Sequence, residues 1–409
     1  MEPVKGGADV AKERIGLMGG SFNPIHERHL AAAACALNEA RLNRIIFIPT
    51  GRPPHKHEGL ADAEHRFEMT RLAVMREPRF SASRMEIDRE GVTYTADTLA
   101  QLHRQMPAAE FFYIIGEDTL LDLPHWHTPE KVFELCTFLV CRRKTLDASA
   151  HPAVPELEAR GARFWYLSLP PVDLSSTGIR RRLARGETPD GLPLQVMEYI
   201  RIMGLYGVPA SPPGGAAIYP RLREALSEKR LLHSLLVAAT ARRLAALHGL
   251  NEQQCELAGL IHDCAKCMPL QTLQHIAREH RLLLDKETLS NENLLHGPVG
   301  AVLAETEYGI HDPNVLSAVR CHTTGRVGML PADMVLYLAD KIEPSRRYYP
   351  ALPVIKSLAA DNLVKATLHS LQSTQAYVTR QHTVLHPASQ RVIDWLERLP
   401  AEMVKERLP

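Results

Sequence analysis

An α/β domain built on a doubly wound parallel sheet, followed by an all-α domain, is what this chain of 409 residues predicts. Three observations predict it. Short apolar, β-branched runs alternate with helix-like stretches through the first half, the pattern of a parallel sheet covered by helices on both faces. Strand signals then vanish, and only helical periodicity follows. Between the two patterns lies 204–217, the stretch richest in Pro, Gly and Ser, which carries no periodicity. Length agrees, since roughly 150 residues per domain gives two or three domains.

Taken in order, 14–18 is a short strand ending in Gly19-Gly20, and 24–40 reads as a helix with Pro24 at an early position. The β-branched run 44–48 stops at Pro49, and 61–75 reads as a helix. Residues 111–115 form an aromatic and β-branched strand closed by Gly116, and 138–141 and 164–167 repeat that pattern. Beyond the break, 221–248, 252–267, 271–281, 298–308, 313–322 and 331–342 read as helices, and the chain after Ala360 is helical without an interpretable motif. The expected domains are therefore 1–208 and 218–409, with a linker at 209–217.

Composition excludes several classes. Hydrophobic residues make up 45% and charged residues 23%, which is globular and not disordered or fibrous. Lys+Arg at 48 against Asp+Glu at 47 gives no support to a nucleic-acid coat or a membrane-surface protein. The small-apolar stretch 30–37 is far short of the roughly 20 residues that a bilayer span needs. The first residues lack the apolar region of a secretory signal. Seven scattered Cys read as reduced thiols in a cytoplasm. The 20 His invite a search for metal or phosphate chemistry.

The string 19–29, GGSFNPIHERH, sits between a strand and a helix. Gly19 and Gly20 permit close backbone approach, followed by Ser21 and Phe22. His26 and His29, three apart, share a helix face near free N–H groups and the positive dipole end, where an anion is favoured. Taken alone, the pair reads more readily as two surface histidines. The whole string closely resembles the signature of the HxGH nucleotidyltransferase superfamily, specifically that of bacterial nicotinate mononucleotide adenylyltransferases. TGRPPHK (50–56), TYTADTL (93–99), IIGEDTLLDLPHW (114–126) and SSTGIR (175–180) match that family's further motifs in order. One departure stands out: Arg28 occupies the place of the motif glycine between the histidines.

The resemblance implies a Rossmann-like fold and adenylyl transfer from ATP to nicotinate mononucleotide, with Mg²⁺ arriving on the triphosphate and pyrophosphate leaving. It assigns His26, His29, Lys56 and Arg180 to the reacting phosphates, and Gly19, Gly20, Ser21, Phe22, Gly116 and Asp118 to the nucleotide. Ser175, Ser176 and Thr177 open a second helix whose amides and hydroxyls meet phosphate oxygens. Trp126 either lines the pyridine pocket or packs in the core.

A second constellation lies in the helical half: His233, His262-Asp263 in AGLIHDCAK, His296 in LLHGPVGA, His322 in HTTGR and Asp340 in LADKIEP. Four imidazoles and two carboxylates amid apolar neighbours suit Fe, Mn, Zn or Mg, and a helical bundle can gather them in its core. Their order resembles the HD-domain metal-dependent phosphohydrolases, and the local strings look like the YqeK-like branch. That resemblance implies a dinuclear centre, of iron or alternatively of Mn or Zn, and symmetrical hydrolysis of diadenosine tetraphosphate to two ADP. The six residues become its ligands, with Asp263 bridging. Lys266 and Arg326 are candidate phosphate contacts, each as readily a solvated charge.

Two further features read as structural. His311-Asp312 precedes Pro313 and looks like a helix cap. Cys264 and Cys267 form a C-x-x-C without a second pair, so packed, reduced thiols are expected there. The implied partners are ATP, nicotinate mononucleotide and a dinucleotide polyphosphate, with no nucleic acid and no membrane. The order of a homo-oligomer stays open. Two other readings also stay open: one half serves as a silent nucleotide-sensing module, or the substrates are nicotinamide mononucleotide and another phosphoester.

Overall fold

The computed structural model describes residues 12–52, 59–141, 152–170 and 174–399. They fall into two compact units, Met1–Val196 and Met197–Pro409.

Among the described residues of the first unit, six parallel strands form one sheet: β1 (Arg14–Gly20), β2 (Arg44–Pro49), β3 (Phe80–Ala82), β4 (Glu110–Gly116), β5 (Thr137–Cys141) and β6 (Phe164–Leu167). Their order is β3-β2-β1-β4-β5-β6. The inner strands are near-continuous apolar runs, with Ile15, Leu17, Ile45, Ile48, Phe111 and Phe138 all buried, as a sheet covered on both faces requires. Order reverses between β1 and β4, and a crevice opens beyond the carboxyl ends of the strands at such a switch point. Those ends are Gly19-Gly20 and Gly116. A Cβ on Gly19 would stand 2.0 Å from the Tyr113 hydroxyl, so only glycine lets β1 pass that ring.

The first helix is Glu27–Glu39, not 24–40. The chain turns through Phe22 (φ 43°), and the Asn23 amide is tied to the Gly59 carbonyl (2.9 Å) and the Ala61 N–H (3.1 Å). Pro24 therefore lies in the turn, and His26 is the N-cap. Helix Thr95–Gln105, whose buried side is Ala96, Thr98, Leu99 and Leu102, was not expected as an element.

The described part of the second unit contains helices and no strand. Its centre is helix Glu228–Leu247, in which every residue from Leu231 to Ala239 is buried. Such all-round burial marks a helix enclosed by others. Helices Glu252–Ile261 and Pro331–Ile342 pack against it. A Cβ on Gly259 would lie 2.7 Å from Ala238 Cα, so the first crossing is a backbone contact. The stretch expected as one helix over 221–248 is two, because Leu226 is extended and Ser227 caps Glu228–Leu247 by accepting the Arg230 N–H. Helix Glu252–Ile261 stops just before His262.

The division after Val196 places the expected linker, 209–217, within the helical unit. Its residues are engaged there. Helix Gly215–Ala225 begins inside it, and the Ser211 hydroxyl donates to buried Glu256 (2.5 Å). Arg201 and Arg242 also reach Glu256 (3.4 and 3.2 Å), and Arg242 reaches Glu198 (3.6 Å). Burial and the neighbouring Glu256 push the Glu198 carboxyl up to about 8. Among the described residues no helix is long and apolar enough to cross a membrane.

Candidate active sites

The crevice at the switch point is a cleft of about 790 Å³. Gly19, Gly20, Ser21, Phe22, His26, His29, Gly116, Asp118, Trp126, Ser175, Ser176, Thr177 and Arg180 all line it, and so does Arg28. Lys56 lies outside the described residues. Two helix amino ends meet at the cleft. Ser176 donates its hydroxyl to the Pro24 carbonyl (3.0 Å) and Arg180 donates to the Asn23 carbonyl (2.8 Å). These bonds lock helix Ser176–Ala184 to the β1 turn, and Ser175 caps that helix through the Gly178 N–H (3.2 Å). The His26 and His29 rings stack with centroids 3.8 Å apart. Burial, with Arg28 adding to it, lowers His26 to about 4, and burial holds His29 well below its usual value. Both rings are therefore neutral at pH 7. The backbone N–H of His26 donates to His29 Nδ1 (3.2 Å), so neutral His29 carries its proton on Nε2 and can donate from there.

In the helical unit, His233, His262, Asp263, His296, His322 and Asp340 are each at most 6% exposed, and they converge. Asp263 is at the centre. Its Oδ1 lies 3.1 Å from His296 Nε2 and 3.7 Å from His322 Nε2. Its Oδ2 lies 3.5 Å from His262 Nε2 and 3.9 Å from His233 Nε2. Asp340 Oδ1 closes the second side at 3.0 Å from His233 and 4.0 Å from His262. Each imidazole is oriented from behind through Nδ1: His233 by Glu343 (3.1 Å), His262 by the Gly259 carbonyl (2.8 Å), His296 by the Glu292 carbonyl (3.1 Å) and His322 by the Val319 carbonyl (2.7 Å). For His262, His296 and His322 an Nδ1–H donated to a carbonyl leaves Nε2 facing Asp263. His233 instead meets Asp340 through Nε2 (3.0 Å) and Glu343 through Nδ1, and against its burial these two carboxylates raise its pKa. Burial lowers His262 to about 3, and its Nε2 has no hydrogen-bond partner.

Residues 17–182 match the cytidylyltransferase-like family, and residues 230–345 match the HD domain. A probable nicotinate-nucleotide adenylyltransferase of Moorella thermoacetica is 39% identical over 198 residues, 47% of this chain and 91% of that protein. The chain belongs to the nicotinate-nucleotide adenylyltransferase family, fused to an HD domain. The fusion has a full-length counterpart. A probable nicotinate-nucleotide adenylyltransferase/Ap4A hydrolase of Mycoplasma genitalium is 28% identical over 372 residues, covering 90% of this chain and 99% of that protein. The HD half is also similar to a solved structure, a predicted HD superfamily hydrolase involved in NAD metabolism from Clostridium acetobutylicum. There the identity is 36%, the TM-score 0.43, and the coverage 44% of this chain and 95% of that one.

The HD-domain residues fit a metal site on their own chemistry. Four imidazoles and two carboxylates are buried together, an orphaned Nε2 faces inward, and two groups of three (His233, His262 and Asp340; His262, Asp263 and His322) bring ligand atoms within 4.8 Å of one another. Sequence reasoning missed the groups behind them. Glu343 orients His233, Arg230 reaches Asp263 (3.1 Å), Lys341 reaches Asp340 (3.0 Å), and Arg346 bonds Asp340. The signal for Glu343 was present, because it follows Asp340 by three residues near a helix end, where both can face one ring. Of the candidate phosphate contacts, Lys266 stands beside the cage, its Nζ bonded to Asn293 (3.0 Å) and near His296 Nδ1 (3.5 Å). Arg326 is committed to buried Asp333 (2.8 Å). Asp312 is a helix cap, accepting the Asn314 and Val315 N–H groups. All seven cysteines are unpaired, and Cys264 is buried as expected. Cys267 is exposed, a correction to the expected packing, because the chain turns outward there after the short turn that carries Asp263.

Proposed function

We propose that the adenylyltransferase domain joins ATP and nicotinate mononucleotide into nicotinate adenine dinucleotide, releasing pyrophosphate. We further propose that the HD domain hydrolyses diadenosine tetraphosphate symmetrically to two ADP. Support for the first activity is the gathering of every described candidate site residue of this domain around one cleft at the switch point, together with the names of the relatives. A nicotinate mononucleotide phosphate oxygen attacks the α-phosphorus, and the bond to the β-phosphate breaks. His29 Nε2–H, the amino end of helix Ser176–Ala184 and Arg180 align the two anions and balance charge on the leaving pyrophosphate. Mg²⁺ carried in on ATP shares that charge. The cleft residues His26, Gly19, Gly20, Ser21, Phe22, Gly116, Asp118, Ser175, Ser176 and Thr177 hold the nucleotide, the family resemblance assigns Lys56 to the reacting phosphates, and Trp126 bounds the pyridine side.

For the HD domain, the observation that carries the reading is the Asp263 carboxylate set between two groups of imidazoles. His233, His262, Asp263, His296, His322 and Asp340 would hold a dinuclear metal centre, iron by the family resemblance, which would supply Lewis acidity to a phosphoryl oxygen and make water a better nucleophile. The chain's own part would be to present the Nε2 atoms of the imidazoles, to offer Asp263 as the shared carboxylate, and to set Arg230, Lys266 and Arg346 where phosphate charge arrives. Free thiols and adenine-nucleotide substrates support a cytoplasmic location in this reading. The functional division at 209–217 expected from composition is replaced in this proposal by the structural one after Val196.

The test is a product screen on the full chain with elemental analysis. ATP plus nicotinate mononucleotide and Mg²⁺ yields pyrophosphate and the dinucleotide, diadenosine tetraphosphate yields ADP alone, and one to two metal equivalents copurify. Absence of pyrophosphate, or release of AMP plus ATP from the tetraphosphate, refutes the corresponding half.

A further inference from the structure

Beside the metal cage, on the side of His233 and Glu343, the helical unit contains a cavity of about 690 Å³. Its chemistry is one-sided. Lys229, Arg230, Lys341, Arg346, Arg347 and Arg380 line it, against the single carboxylate of Glu343. Arg230, Lys341 and Arg346 lean on the cage carboxylates. Lys229, Arg347 and Arg380 pair with no carboxylate among the described residues. A concave surface that gathers cations in this way concentrates field for a polyanion.

The far wall is the uninterpreted tail. Helix Leu363–Arg380 presents Ser370, Ser373, Thr374, Tyr377 and Arg380 to the cavity, spaced along one face. Tyr377 is 57% exposed and Tyr348, from the turn after Glu343, is 77% exposed. Large rings left in water beside unpaired cations match the needs of a nucleotide: a flat base stacks on an aromatic side chain while the phosphates meet arginine.

We propose that this cavity binds the non-reacting end of a nucleoside polyphosphate, with Arg347 and Arg380 on its distal phosphates and Tyr377 under its base. The inference rests on the hydrolase reading and deepens it. It makes the tail helix a specificity element that selects a long phosphate chain ending in a nucleoside over a simple phosphomonoester.

Two measurements on the full chain test it. The first is amide hydrogen exchange with and without saturating diadenosine tetraphosphate, which should slow exchange over 343–350 and 370–380. The second is the KM for tetraphosphate hydrolysis in Tyr377→Ala and Arg380→Ala. Each should rise about tenfold, the scale of one lost stacking or charge contact, with metal content unchanged, and Tyr377→Phe should restore the wild-type value. Both side chains are exposed, so neither change threatens the fold. Hydrolysis with unchanged KM in both variants, or with no protection of the tail helix, overturns the subsite and leaves the hydrolase standing. Protection without hydrolysis keeps the subsite and overturns the hydrolase. Neither protection nor hydrolysis overturns both.

Discussion

The cleft of the first unit and the cage of the second both rely on histidine, and they use opposite faces of it. His29 sits one turn into a helix, where unpaired N–H groups point outward, and the His26 N–H donates to its Nδ1. That leaves Nε2–H as a donor suited to phosphate. His262 and His322 sit just past helix carboxyl ends, where unpaired carbonyls accumulate, and their Nδ1–H groups donate to Gly259 and Val319. That leaves Nε2 as a lone pair suited to a metal. At His29, His262 and His322 the position of the ring along its helix selects its tautomer, because helix starts offer donors and helix ends offer acceptors. One residue type is thus set up as a donor suited to an anion in one unit and as a lone pair suited to a cation in the other.

The largest effect that could break this comparison is expected from Asp263→Asn. Losing the shared carboxylate should remove metal and lower tetraphosphate hydrolysis by roughly a thousandfold or more, while adenylyl transfer in the same preparation stays at wild type. Bound metal and persisting hydrolysis would show that Asp263 is not the bridge. Next comes His29→Ala, which deletes a fixed donor and should slow adenylyl transfer by about a hundredfold without touching metal content. An unchanged rate would mean that the helix amides alone hold the phosphates. The smallest change is Glu343→Gln, which keeps the shape but weakens the anchor behind His233. Metal affinity, read by titration of the stripped protein, should fall about tenfold, and equal affinity in the variant would remove Glu343 from the site.

Much of this was legible in the primary chain. Alternating strand and helix patterns announced the sheet, and the motif strings announced which residues meet. Other features left no local signal. Strand β3, Phe80–Ala82, is too short to display a period. Helix Thr95–Gln105 is mostly polar, and only its sheet-facing side, Ala96, Leu99 and Leu102, marks it. The break at Leu226–Ser227 hid inside a long run of good helix formers and was resolved by a serine cap. Arg230 and Arg346 belong to no motif. They became visible only when helix packing set them against Asp263 and Asp340.

The buried network of Glu198, Arg201, Ser211, Arg242 and Glu256 has a practical consequence for anyone dissecting this protein. A truncated hydrolase starting at 218, which composition alone would recommend, discards three members of that network and strands Glu256 with Arg242 inside the fold. A cut at the start of the helical unit, after Val196, retains all five and spares the fragment an interior ion stripped of its companions.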